Sequence, residues 1–304
     1  MDKIERYYSI STFLKNFFGK KTVKLSIDAG FTCPNRDGTC GYGGCSFCSS
    51  GGSGELASEY TPGKIADAIN EQIEIMSDKW PDAVYLAYFQ AHSNTYAAVD
   101  ELRSKYYEAL SDPRISGIVI ATRPDCLDED VLDLLEEINS KYFMWIELGL
   151  QSIHPETREA MNIGYPLETY THAVDELISR NIRIVSHLIL GLPGETEEQM
   201  LDSVRFVCQK PIFGLKLHLM NLVSNSALYR TMPDYVSFDS IEEYVDLVVR
   251  CLEIIPPDIT IHRLTGDVPR NLLVSPEWSY RKRTILNSIN KELREKDSFQ
   301  GKKA

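Results

Sequence analysis

The stretch Cys33-Pro-Asn-Arg-Asp-Gly-Thr-Cys40-Gly-Tyr-Gly-Gly-Cys45-Ser-Phe-Cys48 holds four of the seven cysteines and four of the 18 glycines of the chain. It follows the alternating, strand-like run Val23–Asp28. Thiolates are soft ligands, and several of them on one loop select zinc or an iron–sulfur cluster. The glycines let the backbone turn around a metal centre without Cβ clashes. The stretch therefore predicts a metal-binding loop after the first strand.

The spacing of the cysteines leaves more than one ligand set open. Cys45 and Cys48 form a tight Cys-x-x-Cys pair, and a third sulfur comes from either Cys33 or Cys40. Three thiolates on a 4Fe–4S cube leave one iron open for a substrate or cofactor, whereas four thiolates on zinc form a closed structural site. A zinc ribbon normally has two separated Cys-x-x-Cys pairs, and this chain has one. We interpret the loop as an iron–sulfur site, with zinc and structural or redox thiols as the alternatives.

The loop resembles the cluster-binding loop of the radical S-adenosylmethionine (SAM) superfamily, in which three cysteines leave the fourth iron to the methionine end of the cofactor. The longer string from Asp28-Ala-Gly-Phe-Thr to the last cysteine resembles the bacterial YhcC/YtqA-like (MnmL-type) family, relatives of the radical domain in the Elongator catalytic subunit. The resemblance implies that the cluster ligands are Cys33, Cys45 and Cys48. It also implies that Phe47 lies beside the cofactor, and it leaves Cys40 as an extra thiol.

Composition limits the class of protein. The chain has 304 residues, of which 43% are hydrophobic and 25% charged, and this predicts a soluble globular protein with a substantial core. No apolar run is long enough to span a bilayer, and the first residues lack the form of a signal peptide, so we expect a cytoplasmic protein without a membrane partner. The net charge of -12 argues against a generally basic nucleic-acid binder but permits a local basic patch.

Strand and helix signals alternate along the chain. Six strands are expected at Val23–Asp28, Ala83–Phe89, Gly117–Thr122, Phe143–Leu150, Ile182–Leu190 and Gly214–Met220. Helices are expected at Lys64–Trp80, Tyr96–Leu110, Leu127–Ile138, Pro166–Arg180 and Thr196–Cys208, the last with Thr196 as N-cap. Apolar strands joined by helices indicate an α/β protein with a parallel sheet covered on both faces.

Two arrangements of such a sheet are compatible with the pattern. Six units are too few for an eight-unit closed barrel. A doubly wound sheet is the alternative, although no Gly-x-Gly-x-x-Gly fingerprint opens a helix. The family resemblance implies the other arrangement, a partial (β/α)6 TIM-like barrel with a small C-terminal α/β extension.

Three regions are expected. Residues 1–22 mix aromatic and basic side chains, which we interpret as a helical extension covering one end of the core; a basic–aromatic surface near a nucleic acid is the alternative. Residues 23–220 form the radical SAM core, and residues 221–304 form the extension with a substrate-side loop and a tail. The extension is predicted to contain helix Ser240–Ile254, strand Ile259–Leu264, helix Arg281–Lys296 and a disordered tail from Gln300.

Polar residues follow several strands, where parallel α/β proteins collect functional groups. Gln90 stands where related enzymes have Gly-Gly-Glu, so the resemblance implies an acceptor for the methionine amino group; a simple strand cap is the alternative. Glu147, Gly149 and Gln151 share one strand face by alternation, and the resemblance implies contacts to the ribose and methionine parts of the cofactor. Gly191 lies in a Gly-Leu-Pro-Gly-Glu turn that the resemblance places near the adenine.

The sequence departs from its relatives in one motif. Related enzymes often have Asn-Arg-Gly-His where this chain has Asn162-Ile-Gly-Tyr, so Ile163 replaces an arginine able to grip the cofactor carboxylate. We name Arg158 as a possible replacement donor. Nearby in the third strand, Arg123 and Asp125 are expected to pair, with either a structural or a functional role.

Further candidates lie in the extension and in the fifth strand. Arg263, Asp267 and Arg270 occupy a polar segment around the end of a predicted strand, and the resemblance places it on the substrate side. The arginines suit a phosphate or a carboxylate, while surface ion pairs are the alternative. We interpret His187 as a core histidine rather than a catalytic one.

The resemblance implies a radical SAM enzyme. It uses a 4Fe–4S cluster to cleave SAM into methionine and a 5′-deoxyadenosyl radical, and it takes electrons from a donor such as flavodoxin or ferredoxin. The implied partner is transfer RNA (tRNA), whose wobble uridine side chain changes from 5-carboxymethylaminomethyl to 5-aminomethyl. The alternatives are a radical enzyme acting on a small molecule or peptide, and a non-enzymatic zinc or RNA-binding module. The remaining cysteines lie apart, which argues against a second cluster: Cys126, Cys208 and Cys251.

Overall fold

The computed structural model describes residues 5–52 and 65–304. The strands are β1 (Thr22–Ile27), β2 (Val84–Phe89), β3 (Ile115–Thr122), β4 (Phe143–Gln151), β5 (Ile184–Leu190), β6 (Gly214–Leu219), β7 (Leu222–Val223), β8 (Thr260–Arg263) and β9 (Leu273–Ser275). The helices are α1 (Ile10–Phe18), α2 (Ile65–Ser77), α3 (Val99–Leu110), α4 (Glu129–Asn139), α5 (Pro155–Ala160), α6 (Leu167–Ser179), α7 (Glu197–Cys208), α8 (Ala227–Thr231), α9 (Ile241–Ile254) and α10 (Lys282–Glu295).

Seven parallel strands form one sheet in the order β1-β2-β3-β4-β5-β6-β8. The strands follow one another in chain order, and the sheet curls into a half-barrel with helices outside. A doubly wound sheet reverses its strand order at a switch point, and this sheet does not. The predicted partial TIM-like barrel is therefore confirmed. It has one strand more than the six counted in the core, because β8 of the extension pairs with β6.

Helix α1 closes one end of the half-barrel. Ser9 caps its first turn by accepting a hydrogen bond from the Thr12 backbone, and Gly19 ends it in the left-handed conformation. Phe13 packs edge-on against Phe213, just before β6, and stacks against Phe143 at the start of β4. These contacts place α1 at the amino-terminal ends of the strands, where its aromatic side chains pack against the core.

The outer helices lie close to their predicted positions. Thr196 is the N-cap of α7, as expected from the sequence, and the structure adds a reciprocal capping box with Gln199. Helix α2 begins at Ile65, and the predicted first residue, Lys64, lies outside the described residues. Helix α5 was not predicted, because its six residues are too short to show helical periodicity.

The C-terminal tail is ordered, which corrects the prediction of disorder. Gln300 is 4% exposed. Its side-chain amide donates to the carbonyls of Pro256 (2.7 Å) and Ile259 (2.8 Å), while its oxygen accepts from the Tyr8 backbone N–H at 2.8 Å. The polar, charged sequence suggested a free end, but one glutamine ties it to the loop before β8 and to the N-terminal segment.

The extension is integrated with the core. Strands β7 and β9 form a small antiparallel pair, and α10 buries Ile285, Ile289 and Leu293 on one face. The boundary at residue 220 stays a prediction, since β8 continues the main sheet beyond it. In the part of the chain that the structure describes, no helix is long and apolar enough to cross a membrane.

Candidate active site

One cavity brings together most of the predicted site residues. It lies against the cysteine loop and runs into the interior of the half-barrel. Its lining includes the predicted residues Cys33, Cys45, Phe47, Cys48, Gln90, Glu147, Gln151, Arg263 and Asp267. Within the described residues, Cys40, Gly191 and Arg270 are not part of this lining. The cavity is therefore the candidate site in which the sequence predictions can be placed.

Backbone turns and a buried amide shape the cysteine loop. Gly43 and Gly44 both have φ near +80° (79° and 80°), a conformation that favours glycine. Asn35 is fully buried; its side-chain amide donates to the carbonyl of Asn162 at 2.6 Å and lies 3.6 Å from Cys45 Sγ. The loop is thus tied to the segment that follows β4.

The thiols in this loop suit a metal cluster. All seven cysteines lie in the described ranges, and none forms a disulfide. The pKa of Cys45 is lowered to about 7, because the Cys48 thiol donates a hydrogen bond to it and the Arg123 guanidinium lies nearby. A thiolate is the form that binds metal.

The arrangement fits a 4Fe–4S cluster. In such a cube each thiolate binds a different iron atom, and Cys33, Cys45 and Cys48 border one cavity. Among residues 5–52 and 65–304, no group of three or more His, Cys, Asp or Glu side chains is placed to hold one metal ion. Cys40 is not part of the cavity lining. Its sulfur lies 3.7 Å from Nη2 of Arg123.

Arg123 is the guanidinium that lines the cavity beside Ile163. It forms the predicted pair with Asp125 through Nε (2.9 Å) and Nη2 (2.7 Å). Its Nη1 donates to the Ile163 carbonyl at 3.0 Å, and its guanidinium carbon lies 4.9 Å from the Tyr165 ring centroid. These contacts fix its charge next to the cysteine loop.

Arg158, named from the sequence as a replacement donor, has its guanidinium bound to backbone groups. Its guanidinium is buried and donates to three backbone carbonyls, those of Leu150 (3.2 Å), Ser152 (2.8 Å) and Tyr165 (2.6 Å). All of these contacts hold the turn after β4 together, and Arg158 is not among the residues that line the cavity in the described chain. These contacts do not favour Arg158 as the replacement for the missing arginine, and of the two arginines only Arg123 lines the cavity.

Strand β4 does not keep its regular alternation to the end. The pairing with β5 shifts between Gly149 and Gln151, and Gln151 has a positive φ of 71°. A Cβ atom at Gly149 would lie 2.7 Å from Gln151 Nε2, so the glycine makes room for this side chain. Gln151 reaches the cavity through this irregularity rather than through the simple alternation expected. Gln90 also lines the cavity, and its Oε1 accepts from Ser26 Oγ at 3.2 Å.

Glu147 is the centre of a buried polar layer inside the half-barrel. Its Oε2 accepts hydrogen bonds from Tyr88 (2.5 Å) and Lys216, and its Oε1 accepts from Lys24 (3.2 Å) and Trp145 (3.3 Å). Burial alone would raise the pKa of this carboxyl, but the ammonium groups of Lys216 and Lys24 hold it well below its usual range. These contacts favour a role in ordering the barrel interior; the predicted cofactor contact stays a prediction.

The polar layer contains His187, interpreted from the sequence as a core histidine, and two functional candidates that the sequence analysis missed, Lys216 and His218. His187 Nε2 lies 3.2 Å from Glu147 Oε2, and burial together with the Lys216 charge lowers the pKa of His187 to about 4. Lys216 and His218 line the same cavity. The sequence did contain a signal for them, because Lys216 and His218 alternate with leucines in β6. This alternation puts both polar side chains on one face of the strand.

Two predicted residues lie away from the cavity. The backbone N–H of Gly191 lies 3.0 Å from the Met200 sulfur, and its carbonyl accepts from Tyr235 at 2.8 Å. Arg270 is exposed, with its guanidinium 4.6 Å from the Tyr280 ring centroid. The cofactor role of Gly191 stays a prediction that these contacts do not favour.

Comparison with known proteins connects this site to a family. Residues 35–207 match the Radical SAM superfamily, and residues 212–295 match the Radical SAM C-terminal domain. The chain is 42% identical to the uncharacterized protein YtqA of Bacillus subtilis over 299 residues, which cover 98% of this chain and 92% of that protein. It is 34% identical to protein YhcC of Escherichia coli over 280 residues, covering 91% and 89% of the two chains.

A solved structure has the same fold at low identity. The archaeal Elp3 of Methanocaldococcus infernus superposes with a TM-score of 0.63 at 16% sequence identity, over 74% of this chain and 58% of that chain. The family match covers more than half of the chain and includes most of the cysteine loop. The chain belongs to the radical SAM superfamily, and it is similar along most of its length to the YtqA and YhcC proteins.

Proposed function

We propose that this protein is a radical SAM enzyme that modifies tRNA, converting the 5-carboxymethylaminomethyl side chain of the wobble uridine to 5-aminomethyl. Members of the superfamily generally bind a 4Fe–4S cluster and SAM. The family match supports the enzyme class, and the surface next to the cavity supports an RNA substrate. As proposed, the enzyme acts in the reducing cytoplasm with a flavodoxin or ferredoxin as electron donor.

Cys33, Cys45 and Cys48 are the proposed cluster ligands. When bound, the reduced cluster and SAM would supply a 5′-deoxyadenosyl radical that takes a hydrogen atom from the carboxymethyl carbon of the substrate. Over the whole reaction SAM is the two-electron oxidant, and water hydrolyses the oxidised side chain to the 5-aminomethyl product and glyoxylate. The chain provides the surroundings for this chemistry. Arg123 places a fixed positive charge beside the thiolates, and the buried barrel interior excludes water from the reacting groups.

The observation that carries the RNA proposal is a basic–aromatic patch beside the cavity, formed by Arg270, Tyr280, Arg281 and Lys282. The guanidinium carbons of Arg270 and Arg281 lie 4.6 and 5.7 Å from the centroid of the Tyr280 ring, which is 42% exposed. Lys282 forms an ion pair with Asp267, and Asp267 lines the cavity. The patch therefore adjoins the candidate active site.

Such a patch has the chemistry of a single-stranded nucleic-acid site. Arginines contact phosphates, and an exposed aromatic ring provides a surface on which an unpaired base stacks. The whole chain carries a net charge of -12, so a cluster of positive charge beside the cavity is a local feature rather than a general one. An anticodon loop presents both phosphates and unpaired bases.

A turnover assay tests the proposal. The reconstituted enzyme is incubated anaerobically with SAM, a flavodoxin reducing system and tRNA that carries 5-carboxymethylaminomethyluridine, and the nucleosides are analysed by mass spectrometry. We expect 5-aminomethyluridine to appear with the wild type and not with Cys45→Ala. SAM cleavage without any change in the nucleosides would favour a small-molecule or peptide substrate, and no SAM cleavage at all would contradict the enzyme assignment.

A further inference from the structure

We infer that the inner end of the cavity recognises the carboxylate of the substrate's carboxymethylaminomethyl group, through Arg263 and Lys216 with His218 beside them. This inference rests on the proposed function, because it names the place where one chemical group of the proposed substrate binds. Three observations carry it. Two cations are adjacent, their acidic partners are shared with other cations, and a buried imidazole nitrogen has no hydrogen-bond partner among the described residues.

Lys216 and Arg263 are neighbours on adjacent strands. They are register partners in the parallel pair of β6 and β8, although the pairing shifts just before them. Partner residues on neighbouring strands lie about 5 Å apart, and both side chains line the cavity. Two positive charges side by side repel each other, and an anion placed between them removes that repulsion.

The anions already present leave this pair partly uncompensated. Glu147 is shared between Lys216 and Lys24, so one carboxylate serves two ammonium groups. Asp267 lies 3.6 Å from Arg263 Nη2 but also pairs with Lys282. In the cavity lining that the structure describes, Arg123 is paired with Asp125, and the remaining basic side chains, Arg36, Lys216 and Arg263, still outnumber the acidic Glu147 and Asp267.

Both cations have donors for a ligand. The Lys216 ammonium has three N–H groups, and it donates to Glu147 and, at 3.1 Å, to the Tyr88 hydroxyl. Among the described residues the third hydrogen has no acceptor, so it can pair with a group in the cavity. The Arg263 side chain is 27% exposed, and at 3.6 Å its contact with Asp267 is an ion pair longer than a hydrogen bond. Its planar fork suits bidentate binding of a carboxylate.

His218 adds an unused polar atom at the same place. Its Nε2 is buried and has no hydrogen-bond partner among the described residues. An unpaired buried polar atom is costly, so a ligand that pairs with it binds more favourably. His218 follows Lys216 by two positions on β6, which puts both side chains on the cavity face. In the tautomer with hydrogen on Nε2, it donates to a carboxylate oxygen.

Binding measurements test the inference without turnover. The reconstituted enzyme with SAM, kept anaerobic and without reductant, is titrated by calorimetry with three anticodon stem-loops. They carry 5-carboxymethylaminomethyluridine, its methyl ester or plain uridine at the wobble position. We expect the wild type to bind the acid about tenfold more tightly than the ester, which is the size of one good charged hydrogen bond.

Matched variants assign the preference to residues. Arg263→Gln is expected to remove most of the preference for the acid while leaving affinity for the ester nearly unchanged, and Arg263→Lys is expected to keep part of it. Arg205→Gln removes an exposed arginine from α7 as the control and is expected to keep the full preference.

The outcomes separate this inference from the proposed function. Equal binding of all three stem-loops by the wild type, or an unchanged preference in Arg263→Gln, would overturn the carboxylate site and leave RNA recognition standing. Failure of the wild type to bind any of the three would overturn the RNA substrate and the inference with it. The acid–ester comparison in the wild type does not depend on the folding of any variant.

Discussion

The ammonium of Lys216 on β6 and the carboxylate of Glu147 on β4 form an ion pair across the intervening strand β5, with side chains only 2% and 0% exposed. Two charges are stable at such a depth only when each has enough hydrogen bonds. Tyr88, Trp145 and Lys24 complete the bonds of the carboxylate. The pair thus holds the middle of the sheet in one arrangement and orders the floor of the cavity.

Breaking this pair is expected to destabilise the fold. Lys216→Met leaves the buried carboxylate without its closest cation, and we expect the free energy of unfolding to fall by about 3 kcal/mol in urea denaturation. Lys210→Met is the control, because it breaks an exposed pair with Asp175 and should cost under about 1 kcal/mol. A loss in Lys216→Met no larger than in the control would contradict the account of the polar layer.

Stability is expected to fall in acid partly because of His187, whose pKa in the folded state is lowered to about 4 from 6.5. At a pH between these two values, His187 therefore binds a proton in the unfolded chain but not in the folded chain. The contribution of His187 to the free energy of unfolding is therefore full above pH 6.5 and decreases as the pH falls towards 4. The groups facing His187 are Glu147, Lys216, Arg263 and His218.

The measurement compares wild type and His187→Asn by urea denaturation at pH 7, 6 and 5. One such proton changes the free energy of unfolding by up to about 1.4 kcal/mol per pH unit. We expect the variant to lose less stability between pH 6 and 5 than the wild type. Parallel pH profiles for the two proteins would show that His187 remains free to take up a proton in the fold.

The basic–aromatic patch is expected to bind RNA through phosphates. Arg270→Gln and Arg281→Gln should each weaken tRNA binding regardless of sequence, and each should reduce the slope of log affinity against log salt by about one. Arg205→Gln on the exposed face of α7 is the control and should keep the wild-type slope. If neither patch variant changes the slope, the RNA binds elsewhere on the protein.

The C-terminal tail is expected to contribute to stability. Gln300→Ala removes three hydrogen bonds and leaves the groups that Gln300 paired without partners, so we expect a loss of about 2 kcal/mol in thermal or urea unfolding. Lys302→Ala, at an exposed position two residues later, should change stability by less than about 0.5 kcal/mol. Equal stability of the two variants would indicate that the tail is not held as described.

Local signals made much of the fold predictable. Apolar runs marked the strands, and Thr196 marked a helix start, because both depend on residues close together in sequence. Strand β8 was predicted as a strand at 259–264, but its place beside β6 in the main sheet depends on long-range pairing. The ordered tail was missed for the same reason, since Gln300 binds groups more than 40 residues away.

The site was predictable where residue type and spacing carry the chemistry. Cys33, Cys45, Cys48 and Gln90 follow the ends of strands, and they line the cavity, whereas Cys40 of the same loop does not. The polar layer was harder to predict, because Lys216 pairs with Glu147, which lies two strands away in the sheet. Arg158 was misjudged because a sequence does not show that backbone carbonyls take up its donors.

SAM cleavage by matched cysteine variants tests the central claim most directly. Wild type, Cys45→Ala and Cys40→Ala are reconstituted anaerobically with iron and sulfide and reduced with SAM present, and iron content and 5′-deoxyadenosine are measured. We predict that wild type and Cys40→Ala hold a cluster and release 5′-deoxyadenosine, while Cys45→Ala does neither, since Cys45 borders the cavity and Cys40 does not. Loss of both properties in Cys40→Ala with retention in Cys45→Ala, or no 5′-deoxyadenosine from the iron-loaded wild type, would contradict the account.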